Sequence, residues 1–209
     1  MGFLTEQCQL SAYNERTLQN CQPFTCGKDN DMDEFFRTDV FSYSKFLMSK
    51  AYCFRLKEDL TQIVCIFTLS NDSIRIYDLP NSTKNKMWSI THHKKMLKRY
   101  PGVLIGRLAV SEKYSRKGIG SELLRFIGKM FLDPNNKTGC RFIVVDAKNE
   151  PEVLRFYEKN HFSLLFKQEM QEDFYTKQPK DNEEKLLRTN MPRKLATRLL
   201  FKDLLAMES

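Results

Sequence analysis

The sequence lacks the segments that would hold a protein in a membrane or direct it out of the cell. No run among its 209 residues approaches the roughly 20 consecutive apolar residues that span a bilayer. Residues 1–10 also lack a basic region followed by an apolar block, which is the pattern of a secretory leader. We therefore expect a cytoplasmic protein with no membrane partner.

Signals for a metal site or a disulfide framework are also missing. The six cysteines form no CxxC pair, and no histidine stands at ligand spacing. His92 and His93 are adjacent, so their side chains would project in different directions on a helix or a strand. We predict reduced, mostly buried thiols and no bound metal.

No internal repeat or low-complexity linker divides the chain. The 41% hydrophobic content is enough for one core over 209 residues and too little for two independent ones. We therefore predict a single domain over residues 1–209, with a charged insertion at about 174–193 before the last element. The formal charge of +8 favours a polyanionic partner, either a phosphate-bearing cofactor or RNA, without choosing between them.

Hydrophobic periodicity predicts alternating helices and strands. Helices are predicted within 33–50, 88–98, 119–131 and 151–160, and strands at 52–56, 63–69, 103–110, 142–145, 162–166 and 197–204. Turns are predicted at 70–73, 79–85 and Pro101-Gly102, and the charged stretch 168–193 has some helical character. The last strand could equally continue a helix. This alternation predicts an α/β, or layered α+β, fold with a mixed central sheet flanked by helices.

One strand-to-helix loop has the properties of an anion site. It consists of Ser115, Arg116, Lys117, Gly118, Ile119, Gly120 and Ser121. Two glycines let the backbone approach a phosphate closely, and the free amides of a helix start favour negative charge. The alternative is that the glycines only form a tight turn. A nucleoside-triphosphate loop and a dinucleotide fingerprint are both excluded, since Leu123 stands where the latter needs a third glycine.

At this loop the chain resembles the GNAT acetyltransferases. Their pattern Q/R-x-x-G-x-G/A follows a central strand, here Leu108, Ala109 and Val110, and Ser115 replaces the usual Gln or Arg. The resemblance implies the GNAT fold with acetyl-CoA as co-substrate. It also implies that the strand end aligns the pantetheine arm and polarises the thioester carbonyl, while the amides of residues 116–121 bind the pyrophosphate.

A second family segment is similar to Asn149, Val153, Tyr157 and His161-Phe162. His161 replaces the familiar glycine, and Asn149 lies one residue further from the tyrosine than is usual. By resemblance Asn149 contacts the cofactor and Tyr157 is the general acid that protonates the leaving thiolate. The alternative for Tyr157 is packing in the core beside Phe156. No general base is assigned, and Glu112, Glu150 and Glu152 qualify only by their position in the loops.

The resemblance extends to the GNAT branch that contains tRNA-acetylating toxins. It rests on residues 24–27 and 32–36, on 105–110, and on a late segment at 197–200. This branch implies an acyltransferase whose acceptor is the amino group of an aminoacyl-tRNA. Acetylation of a protein or small-molecule amine, and a non-catalytic acyl-CoA-binding or interaction module, are the alternatives. A homodimer and an antitoxin-like protein partner are both compatible with the resemblance.

Overall fold

The computed structural model describes residues 2–27, 29–91 and 97–207. Within them the strands are β1 (Cys8–Ala12), β2 (Lys50–Leu56), β3 (Ile63–Arg75), β4 (Arg99–Val110), β5 (Phe142–Lys148), β6 (Ser163–Leu164) and β7 (Thr197–Asp203). The α-helices are α1 (Phe3–Gln7), α2 (Glu15–Asn20), α3 (Asn30–Glu34), α4 (Val40–Lys45), α5 (Asn81–Thr91), α6 (Ile119–Leu132), α7 (Pro151–Lys159), α8 (Glu169–Thr176) and α9 (Asn182–Asn190). A π-helical turn, Phe35–Asp39, joins α3 to α4.

The strands form one seven-stranded mixed sheet in the order β1-β2-β3-β4-β5-β7-β6. β2 lies antiparallel between β1 and β3. β7 lies antiparallel between β5 and β6, with Phe142 opposite Asp203 and Lys148 opposite Thr197. The predicted layered fold with a mixed sheet and flanking helices is therefore confirmed. No helix in the described ranges is both long enough and apolar enough to cross a bilayer.

Contacts between residues divide the chain into two compact units. Unit 1 comprises Met1–Asn71 and Leu104–Thr138, and unit 2 comprises Asp72–Val103 and Gly139–Ser209. Strands β3 and β4 each run from one unit into the other. The single-domain organisation stays a prediction.

The core of unit 1 is rich in aromatic residues. One cluster of buried residues consists of Tyr13, Phe35, Phe36, Val40, Ala51, Cys53, Ile63, Ile66 and Ala109. The buried phenol of Tyr13 donates a hydrogen bond to the Phe36 carbonyl at 2.9 Å, which ties the π-helical turn to the rest of the core. The helical prediction for residues 33–50 is confirmed for most of that range.

Helix α6 buries the apolar stripe that its spacing predicts. Its buried residues are Ile119, Leu123, Leu124, Ile127 and Gly128. Phe126 packs edge-on against Phe54 of β2, with ring centroids 4.9 Å apart. The helix ends immediately before Asp133-Pro134, since the residue preceding a proline disfavours helical geometry. The predicted helix over 119–131 is therefore confirmed.

The predicted turn at Pro101-Gly102 is wrong, because both residues lie inside β4. The Pro101 carbonyl accepts a hydrogen bond from the Arg141 backbone N–H at 2.9 Å. A Cβ on Gly102 would lie 3.1 Å from the Phe142 carbonyl oxygen, so glycine allows a close approach of the two backbones. Pro101 and Gly102 therefore lie where the β4 backbone approaches Arg141 and Phe142.

Other element boundaries also differ from the prediction. Residues 70–73 belong to β3, and the predicted turn at 79–85 overlaps the start of α5. The predicted strand at 162–166 is reduced to Ser163–Leu164, whereas β7 is a strand throughout Thr197–Asp203. The predicted helix at 88–98 overlaps α5 at its start, and residues 92–96 lie outside the described ranges.

The charged stretch 168–193 contains α8 and α9, and the insertion predicted at about 174–193 comprises the end of α8 and the whole of α9. Ion pairs hold both helices in place. Asp173 is 4% exposed and accepts hydrogen bonds from Arg188 Nε at 2.8 Å and from Arg193 Nη2 at 2.6 Å. Although burial opposes it, these bonds lower the pKa of Asp173 below its ordinary value. Glu172 is 1% exposed and accepts from Arg198 Nε at 2.8 Å. Because breaking such pairs leaves a buried charge, they fix α8 to α9 and to β7 within unit 2.

The six cysteines are free thiols. Cys8, Cys53 and Cys65 are buried, and Cys21, Cys26 and Cys140 are half-buried. Burial raises the pKa of Cys8 to about 11 and that of Cys53 to about 12, so these thiols stay protonated and unreactive at neutral pH. Across the described ranges no three His, Cys, Asp or Glu side chains are placed to hold a metal ion, and His92 and His93 lie outside those ranges.

Candidate active site

The loop after β4 is held in place by backbone hydrogen bonds. Ser111 N–H donates to the Val64 carbonyl and Glu112 N–H to the Thr25 carbonyl, both at 2.9 Å. A 3₁₀ turn over Glu112–Tyr114 follows, and Ser115 N–H donates to the Glu112 carbonyl at 3.1 Å. The loop therefore reaches Arg116 with a fixed backbone.

Two residues of the loop have left-handed backbone conformations. Arg116 has φ 59° and Gly118 has φ 79°. A left-handed conformation costs an L-residue about 1–2 kcal/mol and costs glycine almost nothing. A Cβ on Gly118 would meet nothing within 4 Å, so glycine is needed there for its backbone angle and not for space. Alternating left-handed residues turn consecutive N–H groups toward a common concavity that binds anions.

The amides of this loop have no acceptor within the described ranges. In the described part of the chain, the backbone N–H groups of Arg116 to Ser121 donate no hydrogen bond, and the first intrahelical bond runs from Glu122 to Gly118 at 3.0 Å. They stand at the N-terminus of the 14-residue helix α6, where the helix dipole favours negative charge. The Arg116 and Lys117 side chains are exposed beside them. The loop predicted from its glycines therefore has the geometry of an anion site.

In β4 a side chain bonds to the backbone just before the residues predicted to align the acetyl donor. The Arg107 backbone N–H donates to Thr68 Oγ1 at 3.0 Å. A Cβ on Gly106 would lie 3.0 Å from the same oxygen, so glycine makes room for this side-chain contact. Beyond it, Ala109 is buried in the unit 1 core, and Leu108 and Val110 are half-buried. The role of these three residues toward a thioester stays a prediction.

Tyr157 lies on α7 in unit 2, packed among aromatic rings. The centroid of its ring lies 5.1 Å from that of Phe156 and 5.3 Å from that of Phe162, and both pairs are near edge-to-face. Burial raises the pKa of Tyr157 to about 12. Its hydroxyl has no hydrogen-bond partner among the described residues and is not one of the fully buried polar atoms. The ring is therefore fixed while the phenol O–H is available to a ligand.

His161 ends α7 in a left-handed conformation with φ 65°. The Asn160 and Phe162 N–H groups both donate to the Tyr157 carbonyl at 3.0 Å, so this tight turn fixes the end of the helix. Helices commonly end on glycine in such a conformation, which explains why a glycine is the familiar residue at this position. Histidine adopts it here at the expense of backbone strain.

The His161→Gly substitution is therefore expected to stabilise the protein. Relief of the strain, less the greater entropy of an unfolded glycine, should raise the free energy of unfolding by about 0.5–1 kcal/mol. A change of 1 kcal/mol corresponds to about 2–4 °C in Tm for a chain of this length. Thermal unfolding followed by circular dichroism measures it. The control His161→Ala retains a Cβ and should show no gain, and a lower Tm for His161→Gly would contradict the argument.

Asn149 is hydrogen-bonded within unit 2. Its side-chain Nδ2 donates to the Leu195 carbonyl at 2.8 Å and to Glu169 Oε1 at 3.1 Å. Its backbone N–H donates to the Ala196 carbonyl at 2.8 Å. The side-chain oxygen of Asn149 is left for a ligand, and a cofactor contact there stays a prediction.

The residues predicted for the site are thus distributed over both units. Leu108 to Val110 and the loop 115–121 belong to unit 1, whereas Asn149 and Tyr157 belong to unit 2. Sequence reasoning missed a cavity of about 400 Å³ in unit 2 that includes Asp146 and Lys194. The available signal was Asp146 itself, a charged residue that interrupts the apolar run of β5.

Comparison with known proteins agrees with these observations. Residues 87–164 match the family model of the acetyltransferase (GNAT) domain, a range that includes the loop and Tyr157. AtaT complexed with acetyl-methionyl-tRNAfMet superposes with a TM-score of 0.65 at 17% identity, covering 96% of this chain and 97% of AtaT. AtaTR bound with acetyl-CoA gives 0.65 at 18% identity, with 97% of each chain covered.

A tyrosine-to-phenylalanine mutant of KacT gives a TM-score of 0.66 at 16% identity, covering 97% of this chain and 98% of KacT. These likenesses show that the chain has the GNAT fold. The predicted resemblance to the GNAT acetyltransferases is confirmed by the domain match. At the level of that match, the predicted enzyme class, an acyltransferase, is confirmed as well. The predicted co-substrate, acetyl-CoA, is the ligand bound in the AtaTR structure.

Proposed function

We propose that this protein is an N-acetyltransferase that moves the acetyl group of acetyl-CoA to the amino group of an aminoacyl-tRNA. One observation carries the donor half of the proposal. At the start of a long helix, the consecutive backbone N–H groups from Arg116 to Ser121 have no acceptor among the residues that the structure describes. Such a set of donors matches the oxygens of a pyrophosphate.

The loop fits acetyl-CoA in charge as well as in geometry. The left-handed Arg116 and Gly118 give the concavity, and the exposed Arg116 and Lys117 side chains add positive charge at its rim. In this proposal the backbone of Leu108 to Val110 aligns the pantetheine arm and polarises the thioester carbonyl. Ser115 contributes its hydroxyl, since its backbone N–H is bonded to the Glu112 carbonyl, and the Asn149 side-chain oxygen is a further contact to the cofactor.

The reaction needs a neutral amine and a proton for the leaving group. The amine nitrogen attacks the thioester carbonyl carbon, the C–N bond forms, and the C–S bond breaks as the amine loses a proton to solvent. The Tyr157 phenol gives its proton to the CoA sulfur and regains one from solvent. Because burial raises the pKa of Tyr157 to about 12, the phenol is protonated throughout the neutral range.

The proposed acceptor rests on charge and on the relatives. AtaT has been captured with acetyl-methionyl-tRNAfMet, and this chain has the same fold. The formal charge of +8 suits a polyanionic RNA. An α-amino group has a pKa of about 8, so a usable neutral fraction exists near pH 7 without a dedicated base. An aminoacyl-tRNA acceptor would place the reaction in the cytoplasm.

We extend the proposal to a protein partner. AtaT has been captured bound to the C-terminus of the antitoxin AtaR together with acetyl-CoA. By analogy, an antitoxin-like protein would bind this chain and control it. We also propose that two copies of this chain form a homodimer.

A CoA-release assay over a panel of acceptors tests the proposed function. Purified protein and acetyl-CoA are mixed with tRNA charged with all amino acids, with uncharged tRNA, with spermidine, or with an unblocked peptide. We expect CoA release only with charged tRNA. Release with spermidine or the peptide alone would replace the acceptor. Tight acetyl-CoA binding without release on any amine would favour a non-catalytic acyl-CoA-binding module.

A further inference from the structure

One segment of unit 1 lies along the strand end that is proposed to align the acetyl donor. At the start of this segment, the Thr25 carbonyl accepts a hydrogen bond from the Glu112 N–H at 2.9 Å, just beyond the end of β4. At its other end, the Phe35 ring lies under the Arg107 guanidinium, with 5.1 Å between the Arg107 Cζ and the ring centroid. The segment therefore runs beside the residues between these two contacts, which include Leu108 to Val110.

The segment is held rigidly before any ligand binds. Asp33 accepts hydrogen bonds from the Cys26 N–H at 2.8 Å and from Thr25 Oγ1 at 2.6 Å. Phe35 is buried and begins the π-helical turn, a type of distortion that is frequent at functional sites. Groups that this segment presents to solvent are therefore preformed beside the strand end.

Arg107 presents a positive charge that has no strong partner. Its side chain is 41% exposed and donates no hydrogen bond to any of the described residues. The Asp31 carboxylate lies 3.8 Å from Nη2 and is itself 73% exposed, and such a pair is weak. Because Nε is covered and the Phe35 ring fixes the plane of the guanidinium, the two Nη groups are the ones that an anion would meet.

An exposed aromatic ring adjoins the same phenylalanine. Tyr43 on α4 is 42% exposed, and its ring centroid lies 5.4 Å from that of Phe35 in an edge-to-face arrangement. A guanidinium that binds a phosphate and an aromatic ring that stacks on a base are the contacts that hold single-stranded RNA. Arg107 and Tyr43 together are called the platform below.

The platform favours one class of acceptor amine. A polyamine would be repelled by Arg107, and a peptide amine without a phosphate would leave the guanidinium without a partner. The 3′ end of a charged tRNA is single-stranded and has phosphates and free bases next to the aminoacyl group. A cation near the amine also disfavours the ammonium form, so it leaves the acceptor in the neutral form that attacks the thioester.

We infer that the platform binds the 3′-terminal nucleotides of the aminoacyl-tRNA, with Arg107 on a phosphate and Tyr43 stacked on a base. The inference rests on the proposed function and adds the residues that recognise the acceptor. Both are positioning residues, because they hold the end of the RNA so that the aminoacyl group lies beside the strand end.

Fluorescence anisotropy with labelled, uncharged tRNA at several salt concentrations tests the role of Arg107. Arg107→Met removes one phosphate contact, so it should raise the Kd about 10-fold or more and lower the slope of log Kd against log salt by about 0.7. Arg107→Lys should keep the slope, because the charge is retained, and should bind more weakly than the wild type because it lacks the planar fork.

Two further substitutions should move the Kd for tRNA in opposite directions. Tyr43→Ala should raise it about 5- to 100-fold without changing the salt slope, whereas Tyr43→Phe keeps the ring and should bind as the wild type does. Asp31→Asn should lower the Kd about 1.5- to 5-fold, because it removes the carboxylate that competes for Arg107. The acetyl-CoA Kd and the Tm should stay at wild-type values in all these variants.

Arg125→Met is the matched control, since Arg125 is an exposed arginine of unit 1 on the other face of the sheet. Its helix, α6, packs Phe126 against Phe54 of β2. The preceding residue of that strand, Cys53, points to the opposite face and belongs to the core cluster of Phe35. Arg125→Met should therefore leave the Kd for tRNA and its salt slope unchanged.

The same variants are assayed for CoA release with charged tRNA, which separates the inference from the proposed function. An Arg107→Met variant with the wild-type salt slope, or with weakened acetyl-CoA binding, overturns the platform. If charged tRNA still supports CoA release in that case, the proposed function stands without it. If the wild type binds tRNA through the platform and releases no CoA, the proposed function fails and the RNA site stands.

Discussion

The Tyr157→Phe substitution should lower kcat about 10²- to 10⁴-fold and leave the Kd for acetyl-CoA unchanged, because loss of a general acid slows only the chemical step. The ring packing against Phe156 and Phe162 is retained in phenylalanine, so the Tm should not fall. Stopped-flow detection of free CoA measures kcat, and isothermal titration measures the Kd.

The control for this substitution is Tyr77→Phe, which removes a phenol that is 56% exposed in the same unit. It should retain wild-type kinetics. If Tyr157→Phe retained more than about a third of kcat, the phenol would not be the proton donor, and Tyr157 would be a packing residue of α7.

The pH dependence of the reaction rate tests the role of the Tyr157 phenol independently. The rate should rise as the acceptor amine loses its proton near pH 8, and should stay level to about pH 10.5. An ordinary phenol has a pKa of about 10 and would begin to lose its proton near pH ~9, whereas burial raises the pKa of Tyr157 to about 12. Short quenched reactions are needed, because the aminoacyl ester hydrolyses in alkali. A decline in rate that begins near pH 9 would contradict the assignment.

The Gly120→Glu substitution should weaken acetyl-CoA binding about 100-fold or more. It places a carboxylate in the first turn of α6, among the amides proposed to hold the pyrophosphate, and like charges brought together cost several kcal/mol. Glutamate is a better helix former than glycine, so the helix itself should not be destabilised. Isothermal titration measures the binding, and thermal unfolding verifies the fold.

Gly139→Glu is the matched control for added charge. A Cβ on Gly139 meets nothing within 4 Å, and the residue lies outside the loop, so acetyl-CoA binding should be unaffected. If Gly120→Glu bound acetyl-CoA as tightly as the wild type, the pyrophosphate would lie elsewhere on the protein.

Local pattern predicted the elements whose stability depends on apolar burial. The spacing of Ile119, Leu123 and Ile127 predicted α6 nearly to its last residue, because a single stripe of buried apolar residues is enough to indicate a helix. The same reasoning missed β1, which is short and is defined by its pairing with β2. It also failed at Pro101-Gly102, where local turn preference was overridden by contacts with Arg141 and Phe142.

The charged stretch 168–193 shows what local sequence pattern cannot predict. Helices α8 and α9 have little apolar periodicity, and what orders them is the contact of Asp173 with Arg188 and Arg193. Partners 15 and 20 residues away cannot be paired from the sequence, since many other charges are available at similar distances. The presence of helix was therefore predictable there, and its arrangement was not.

The candidate site was predictable where backbone chemistry defines it. Two glycines and a helix start indicated the loop, but the left-handed Arg116 was not foreseen, because nothing about arginine signals that conformation. The cavity around Asp146 and Lys194 was also missed, since three separate segments assemble it. A site whose side chains come from distant segments can be recognised only once the fold is known.

Backbone amide NMR of ¹⁵N-labelled protein during an acetyl-CoA titration tests the central claim most directly. The amides of Arg116 to Ser121 have no acceptor in the described part of the protein, so the pyrophosphate should become their hydrogen-bond partner. We predict that the Gly118 and Gly120 amide protons shift downfield in proportion to saturation, while that of Gly139 stays in place. Saturation without movement of the loop amides, or no binding at all, would contradict the account.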